Sequence, residues 1–321
     1  MAEHADISDH PSPFTFWLGA HRPGWLGWID VPLMVSHRTL GQVRIDKLPR
    51  ATQAWVLDSG GFTEIGMFGG WAESPEHYAK AVRLYSEQVG MLAWAAPQDW
   101  MCEPDMLAGG GWKVGTHLSV AEHQRRTVAN FVELRTIAPD LPIIPVLQGW
   151  QPWEYEICAE MFAAAGVDLA AEPVVGIGSV CRRTVADHRV AERSIRRIAP
   201  YVGPLHGFGV SLDGLDLYGD ALGSSDSLAW SFWARHDAMH ILDCDRPLSR
   251  HGKAYSYANC PGCALAYRRE VVRRSAAGLF GHPDWEQLEM AFSAAATSTC
   301  GPDPEAVPAA PQQSPPEAPR G

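Results

Sequence analysis

Long apolar runs are absent from this sequence. None of its 321 residues belongs to an uninterrupted apolar stretch of the ~18 residues that a membrane-spanning helix needs. The first residues, MAEHADISDHPSPF, carry acidic side chains and lack the basic start and apolar run of a secretory signal peptide. We therefore expect a soluble, cytoplasmic protein that does not contact a membrane.

Positive charge is also scarce. The chain has 26 Lys and Arg against 37 Asp and Glu, which gives a formal net charge of -11. This balance excludes a general basic coat for nucleic acid, so any contact with DNA or RNA must come from a local patch. The seven cysteines are an odd number and do not form the dense, even framework of a small secreted protein.

Two phosphate-binding motifs are missing. No GxGxxG opens a helix after the first predicted strand and no GxxxxGK[ST] occurs, so dinucleotide and P-loop chemistry lack their motif. Short apolar runs do alternate with longer segments of helical period, which predicts βα units and a parallel sheet. The runs span 54–60, 92–99, 142–149, 174–179, 205–211 and 224–231.

Helix-start signals support this alternation. Ser74 precedes a proline at a first helical position, Ser119 and Glu122 match a capping box, and Thr184 begins a similar pattern. Strand–helix repetition over this length favours an α/β fold of the (β/α)8 TIM-barrel type, with a doubly wound sheet as the alternative. In a barrel, the polar residues at the strand ends would share one face.

The remaining segments complete a predicted domain organisation. The strands at 14–21 and 32–44 are expected to form an N-terminal β-hairpin that caps the barrel. A proline-rich C-terminal stretch with few large apolar side chains cannot repay the entropy of ordering. The predicted parts are a flexible N-terminus (1–13), a barrel domain (14–300) with an inserted subdomain late in the chain (244–282), and a disordered tail (301–321).

Three aspartates stand at predicted strand ends: Asp58, Asp99 and Asp226. Two carboxylates facing one sugar carbon allow one to attack and the other to transfer a proton, through a covalent glycosyl intermediate. A third can recognise a base, since an ionised Asp accepts hydrogen bonds from N–H donors such as N1 and the 2-amino group of guanine. An Asp beside Gly or Ser is also a common turn or cap residue, but three together favour a site.

A CxxC pair, Cys260 and Cys263, lies in a loop rich in Pro, Gly and His. Its late position disfavours a thioredoxin-type redox pair and favours zinc. A closed tetrahedral site needs two further ligands, and His251, His282 and Cys244 are in range.

Over about residues 14–295, the sequence resembles the tRNA-guanine transglycosylase superfamily, and most closely its deazapurine DNA-modification branch, DpdA. The motifs that carry this resemblance are FWLGAHRPGWL, LDSGGFTEI, APQDWMCEP, PVLQGW, GIGSVCRR, LHGFGVS, DSLAWSFWAR and NCPGCALAYRR. The resemblance implies an irregular (β/α)8 barrel with a zinc-binding insertion. It also implies exchange of guanine in DNA for a 7-deazaguanine, such as 7-cyano-7-deazaguanine or a relative.

The resemblance also implies roles for individual residues. Asp226 looks like the nucleophile that attacks C1′ of the nucleotide, Asp58 like the general acid/base, and Asp99 like the residue that recognises the guanine-like edge. Phe62 would stack on the base. Further substrate contacts are implied for Gln148, Gly149, Gly176 and Ser179.

The implied structural Zn2+ site departs from the family pattern. Cys260, Cys263 and His282 match, but Ala258 stands where the tRNA-type enzymes carry a cysteine. The fourth ligand must therefore come from elsewhere, and His251 is favoured over Cys244 because it is nearer in sequence.

The implied partners are a DNA substrate and the free 7-deazaguanine base, and a homodimer stays open. A base inside a duplex is out of reach, so the target nucleotide must be single-stranded or flipped out. Three alternatives remain: the same chemistry on tRNA, a non-catalytic subunit that binds nucleic acid, and, less favoured, unrelated barrel chemistry such as glycoside hydrolysis.

Overall fold

Eight parallel strands form the centre of the protein. The computed structural model describes residues 14–181, 185–236 and 257–281. The strands are β1 (Thr15–Ala20), β2 (Leu33–Ser36), β3 (Trp55–Asp58), β4 (Leu92–Ala95), β5 (Val146–Leu147), β6 (Val175–Ile177), β7 (Leu205–Gly207) and β8 (Ser224–Ser227). They pair in the order β4-β3-β2-β1-β8-β7-β6-β5. This is the strand order of a TIM-like α/β fold.

Helices follow the strands as the alternating pattern predicts. They are α1 (His37–Leu40), α2 (Gly61–Phe68), α3 (Pro75–Val89), α4 (Pro104–Ala108), α5 (Val120–Ile137), α6 (Pro152–Ala164), α7 (Val185–Ile198), α8 (Leu212–Tyr218), α9 (Ala229–His236) and α10 (Pro261–Ala276). The Ser74 hydroxyl accepts from the backbone N–H of His77 at the start of α3, and Ser119 accepts from that of Glu122 at the start of α5. Both predicted caps are confirmed. Thr184 lies outside the described residues.

The predicted barrel is confirmed as an eight-stranded parallel sheet, but it is open between β4 and β5. On this seam, an isolated parallel bridge joins Ala95, at the end of β4, to Ile143, three residues before β5. Ala95 N–H donates to Pro142 O at 2.9 Å, and Ile144 N–H donates to Ala95 O at 3.1 Å. Pro97 and Pro142 flank the bridge and have no N–H to donate. The hydrogen-bond ladder therefore stops after one step on this seam.

The predicted N-terminal hairpin cap is wrong. β1 and β2 are parallel, with Leu18 opposite Leu33, and β1 also pairs in parallel with β8. A hairpin requires antiparallel neighbours joined by a short turn. Here residues 21–32 instead cross over, with a short 3-10 turn at Pro23–Gly27 whose Trp25 and Leu26 are buried. These two strands join the six predicted from residue 54 onward to make eight.

Strand register places the aspartates relative to the core. Trp17, Val56 and Val146 belong to a small apolar cluster on one face of the sheet, separate from the large core on the other. Asp226 stands opposite Trp17 in the β1–β8 register, and Asp58 follows Val56 by two residues. Because side chains alternate along a strand, both aspartates lie on the same face as the small cluster.

Two predicted segments, 1–13 and 301–321, lie wholly outside the described residues, as do residues 244–256 and 282 of the inserted subdomain. Of the insertion, residues 257–281 are described and contain a 3-10 turn and α10. Within the described chain, no helix combines the length and apolarity needed to cross a membrane.

Candidate active site

The three predicted aspartates meet at the carboxyl ends of the strands. Asp58 is the last residue of β3, Asp226 lies in β8, and Asp99 follows β4. The charge of Asp226 acts on Asp58, and the charge of Asp58 acts on Asp99. The fold therefore brings together carboxylates that are far apart in the chain, at the end where α/β barrels carry their active sites.

Asp226 is held on one oxygen. Its Oδ1 accepts the backbone N–H of Gly209 at 2.8 Å, and the same Oδ1 lies 3.4 Å from His206 Nε2. Gly209 has a left-handed φ of 63°, and a Cβ added there would lie 3.0 Å from Cys181 Cβ. Glycine is suited to this position because it adopts positive φ without steric cost. Oδ2 is left as the oxygen that can face a substrate.

Asp58 has a similar contact but a different electrostatic setting. Its Oδ2 accepts the backbone N–H of Gly60 at 3.1 Å, and Gly60 also has a left-handed φ, of 80°. Burial, followed by the negative charge of Asp226, raises the pKa of Asp58 to about 6, against smaller lowering effects from hydrogen bonds to Ser36 and Gly60. The residue keeps partial access to solvent, as expected for a carboxyl group at the mouth of a site, while protein atoms surround it on most sides.

Asp99 is buried in a hydrogen-bonded pocket. Gln148 Nε2 donates to its Oδ2 at 2.5 Å, and Ser59 Oγ donates to its Oδ1 at 3.3 Å. Burial raises the pKa of Asp99 to about 7, with a further rise from Asp58, although the Gln148 hydrogen bond opposes it. A carboxyl group with such a pKa changes charge easily near neutral pH.

Ser179 links this pocket to a fourth carboxylate that the sequence did not single out, that of Glu103. The Ser179 hydroxyl accepts the N–H of Cys102 at 2.8 Å. It lies 2.7 Å from Gln148 Oε1 and 2.9 Å from Glu103 Oε2, and it has one hydrogen to donate to either. Ser179 adopts a left-handed φ of 55°, which is uncommon for a residue other than Gly. The motif APQDWMCEP contains Glu103, but nothing local marks it as buried.

Phe62 lies in the first turn of α2, close behind Asp58 in the chain. Its ring meets that of Trp112 edge to face at 5.7 Å, and Lys113 Nζ lies 5.1 Å from the Phe62 ring centre. Lys113 also pairs with Asp105. The ring is thus packed against an aromatic ring and a lysine, and its stacking on a base stays a prediction.

The two predicted glycines occupy tight positions. Gly149 follows β5, and a Cβ there would lie 3.0 Å from Glu154 Cβ. Gly176 lies within β6, where a Cβ would approach the Phe208 ring to 2.6 Å. The small size of Gly176 therefore makes room for Phe208 within the sheet.

His206 is a second group that sequence reasoning missed. It is buried in β7, and its Nδ1 lies 2.9 Å from Ser224 Oγ. Its ring meets those of Trp94 and Phe208 edge to face, at 4.7 and 4.6 Å. The only available signal was a histidine directly before a glycine at a strand end.

Two of the four predicted zinc ligands are described. Cys260 caps α10 and Cys263 lies in its first turn, and both are buried. His251, His282 and Cys244 lie outside the described residues. The part of the chain that the structure covers contains no cluster of three or more His, Cys, Asp or Glu suited to a metal ion. Two buried thiols on one helical turn do fit half of a tetrahedral zinc site.

Two clefts on the outer helices lie away from these groups. One is lined by α5 and α6 and includes Arg125, Val132 and Met161; the other is lined by residues such as Ala163 and Tyr201. Both linings are mainly apolar, and each includes one carboxylate residue, Glu133 in the first and Asp168 in the second. Neither cleft includes any of the three predicted aspartates.

Comparison with known proteins identifies the family. The family model of DpdA, DeoxyPurine in DNA protein A, matches residues 13–307. No curated protein matches. Among solved structures, a protein described as a fructose-1,6-biphosphate aldolase from Coccidioides immitis is similar over 84% of this chain and 93% of its own, with 14% identity and a TM-score of 0.41. That similarity is too weak to bear on function. Because the family match covers most of the sequence, the chain belongs to the DpdA family, the tRNA-guanine transglycosylase-like branch that its motifs predicted.

Proposed function

We propose that this protein exchanges guanine in DNA for a 7-deazaguanine, 7-cyano-7-deazaguanine or a relative, through a covalent intermediate on Asp226. The observation that carries the proposal is the pair Asp58 and Asp226 at one strand-end site, close enough for the charge of one to shift the pKa of the other. Membership of the DpdA family supports DNA as the polymer. Two such carboxylates suit stepwise substitution at a sugar carbon.

The first half-reaction would open the glycosidic bond. Asp226 Oδ2 attacks C1′ of a nucleotide outside the duplex stack, and the C1′–N9 bond breaks with its electron pair going to guanine. Protonated Asp58 gives a proton to the departing base. The products are neutral guanine, ionised Asp58 and a glycosyl ester on Asp226.

The second half-reaction reverses these roles. Ionised Asp58 takes the N9 proton of the incoming 7-deazaguanine, N9 attacks C1′, and the bond to Asp226 breaks. Two inversions at C1′ retain the β configuration. A pKa of about 6 suits Asp58 to both proton transfers near neutral pH.

Base recognition would fall to the Asp99 pocket. Ionised Asp99 can accept from N1–H and the 2-amino group, which guanine and 7-deazaguanine share. Gln148, which is hydrogen-bonded to Asp99 and lies next to Ser179, would hold the Asp99 carboxylate in place. Phe62 would cover the flat face of the base, and the backbone at Gly149 and Gly176 would make further substrate contacts.

The proposal is tested by base release. Purified protein is incubated with 7-cyano-7-deazaguanine and either DNA or tRNA that carries radiolabelled guanine. Release of label from DNA with incorporation of the deazapurine supports the proposal. Release from tRNA alone favours the tRNA alternative, and tight binding with no release from either polymer favours a non-catalytic subunit.

We propose separately that Cys260, Cys263, His282 and His251 hold a structural zinc ion. Two buried thiols at the start of α10 support this, since a thiolate pair is a common half of such sites. Zinc would stabilise the insertion and take no part in the reaction. Mass spectrometry should find one zinc per chain in the purified protein and none in Cys263→Ser, whereas full zinc content in Cys263→Ser would reject the ligand set.

A further inference from the structure

We propose that His206 is a positioning residue for Asp226. The inference rests on the proposed function, because it assigns a role to His206 in the attack by that carboxylate. Nothing in the reaction as outlined above requires a histidine at this place in β7.

The first observation is a buried nitrogen without a hydrogen bond. Nε2 of His206 is inaccessible to solvent and makes no hydrogen bond within the described chain. It lies 3.4 Å from Oδ1 of Asp226, slightly beyond an ordinary N–H···O distance. Since buried polar groups are normally paired, the carboxylate is the partner this nitrogen faces.

The second observation concerns the other ring nitrogen. Nδ1 lies 2.9 Å from Ser224 Oγ, and Ser224 stands opposite His206 in the β7–β8 register. When the serine hydroxyl donates to Nδ1, the proton of a neutral imidazole must be on Nε2, toward Asp226. With Ser224 as the donor, Nε2 is the ring nitrogen that can donate to the nucleophile.

The third observation is that the ring is held in place. Trp94 and Phe208 meet it edge to face, at 4.7 and 4.6 Å between ring centres. Gly176 leaves the space that the Phe208 ring fills. A ring packed in this way can fix the direction of its N–H.

Together with Gly209 N–H at 2.8 Å, His206 acts on the Oδ1 atom of Asp226 alone. Two contacts on one oxygen orient the carboxylate and leave Oδ2 toward C1′. Loss of the histidine would let the group rotate, and small misplacements of a reacting atom cost about 10²-fold in rate.

The test measures covalent adduct formation in a single turnover, on a DNA substrate that the wild-type protein converts. His206→Phe keeps a packed ring but removes the donor, and we expect the adduct rate constant to fall about 10²-fold. Equilibrium binding of 7-cyano-7-deazaguanine should stay within about twofold, because the Asp99 pocket is untouched. An unchanged adduct rate in His206→Phe would overturn the inference.

A matched pair of variants keeps the test decisive even where His206→Phe does not fold. The side-chain amide of His206→Gln reaches the position of Nε2, whereas that of His206→Asn is one methylene shorter. We expect His206→Gln to form the adduct at least about tenfold faster than His206→Asn; equal rates at equal thermal stability would contradict a positioning role. If the wild-type protein forms no adduct at all, the proposed function fails and this inference with it, whereas a wild-type adduct with insensitive variants rejects the inference alone.

Discussion

The two sides of the strand-end site place the same residue type in different surroundings. On the β3–β4 side, Asp58 and Asp99 are raised in pKa to about 6 and about 7, chiefly by burial and secondly by negative neighbours. On the β7–β8 side, Asp226 meets a backbone N–H and the edge of a buried histidine. The first side is suited to holding and releasing protons, and the second to orienting a carboxylate.

This difference shows how three aspartates can divide one reaction. Asp58 and Asp226 each accept the N–H of a left-handed glycine, so the glycine contact alone does not separate their roles. What separates them is that burial, followed by the charge of Asp226, raises the pKa of Asp58, whereas Asp226 faces the ring of His206. Environment assigns the roles of acid/base and nucleophile, as in other carboxylate pairs.

The largest effect should come from the β7–β8 side. Asp226→Asn removes the attacking oxygen anion, so exchange should fall by at least about 10³-fold and no adduct should appear on a denaturing gel. Asp46→Asn, at an exposed carboxylate paired with Arg44, is the matched control and should retain full activity. A persistent adduct in Asp226→Asn would show that Asp226 is not the nucleophile.

A smaller loss is expected on the β3–β4 side. Asp58→Asn leaves Asp226 able to attack but removes the proton carrier, which is worth about 10²- to 10⁴-fold in general acid–base catalysis. Slow adduct formation should remain detectable after long incubation, and added 7-deazaguanine should discharge it poorly. If the Asp58→Asn and Asp226→Asn proteins formed and discharged the adduct at the same rates, the two aspartates would not have separate roles.

The two half-reactions should respond to pH in opposite directions. Adduct formation needs protonated Asp58 and should fall about tenfold per unit above a pH of about 6. Discharge of the adduct needs ionised Asp58 and should fall below its pKa. Because esterified Asp226 no longer carries the charge that raises the pKa of Asp58, the midpoint for discharge should lie below that for adduct formation. Reactions stopped at timed intervals between pH 4.5 and 8.5 measure the rates of adduct formation and of adduct discharge. If both rates changed with pH in the same direction, the scheme would be contradicted.

The smallest expected effect is on stability. Asp99 has a folded pKa of about 7, raised above the unfolded value near 3.8. The folded state therefore binds its proton more tightly, and the stability this provides is complete below a pH of about 4 and lost as the pH rises through 7. Asp99→Asn should not show this loss, so its free energy of unfolding relative to wild type should be about 2 to 3 kcal/mol higher at pH 8 than at pH 5.

Urea unfolding at both pH values measures the difference, with Asp46→Asn as the control. The same Asp99→Asn protein should bind 7-cyano-7-deazaguanine more weakly, because an amide offers N–H groups where the base needs acceptors. If the stability difference between Asp99→Asn and wild type is the same at pH 8 as at pH 5, burial does not raise the pKa of Asp99.

Much of the fold could be predicted because its signals are local. The six strands from residue 54 onward were recognisable as apolar runs that end in polar residues, and Ser74 and Ser119 marked helix starts through their own hydroxyl groups. The pairing of β1 with β2 was mistaken because parallel and antiparallel neighbours leave the same local pattern. The β4–β5 seam is open because Pro97, after β4, and Pro142, before β5, flank the same bridge. No single segment of the sequence shows that these two prolines come close together.

The sequence by itself determined the family, the alternation of strands and helices, and the presence of three aspartates and a CxxC pair in order, since these depend on residue identity and spacing. Only the tertiary structure decided which aspartates have a raised pKa, that Glu103 joins the Asp99 pocket, and that His206 faces Asp226. Burial and electrostatic coupling involve groups that are far apart in the chain. They take effect only when folding brings these groups within a few ångströms of each other.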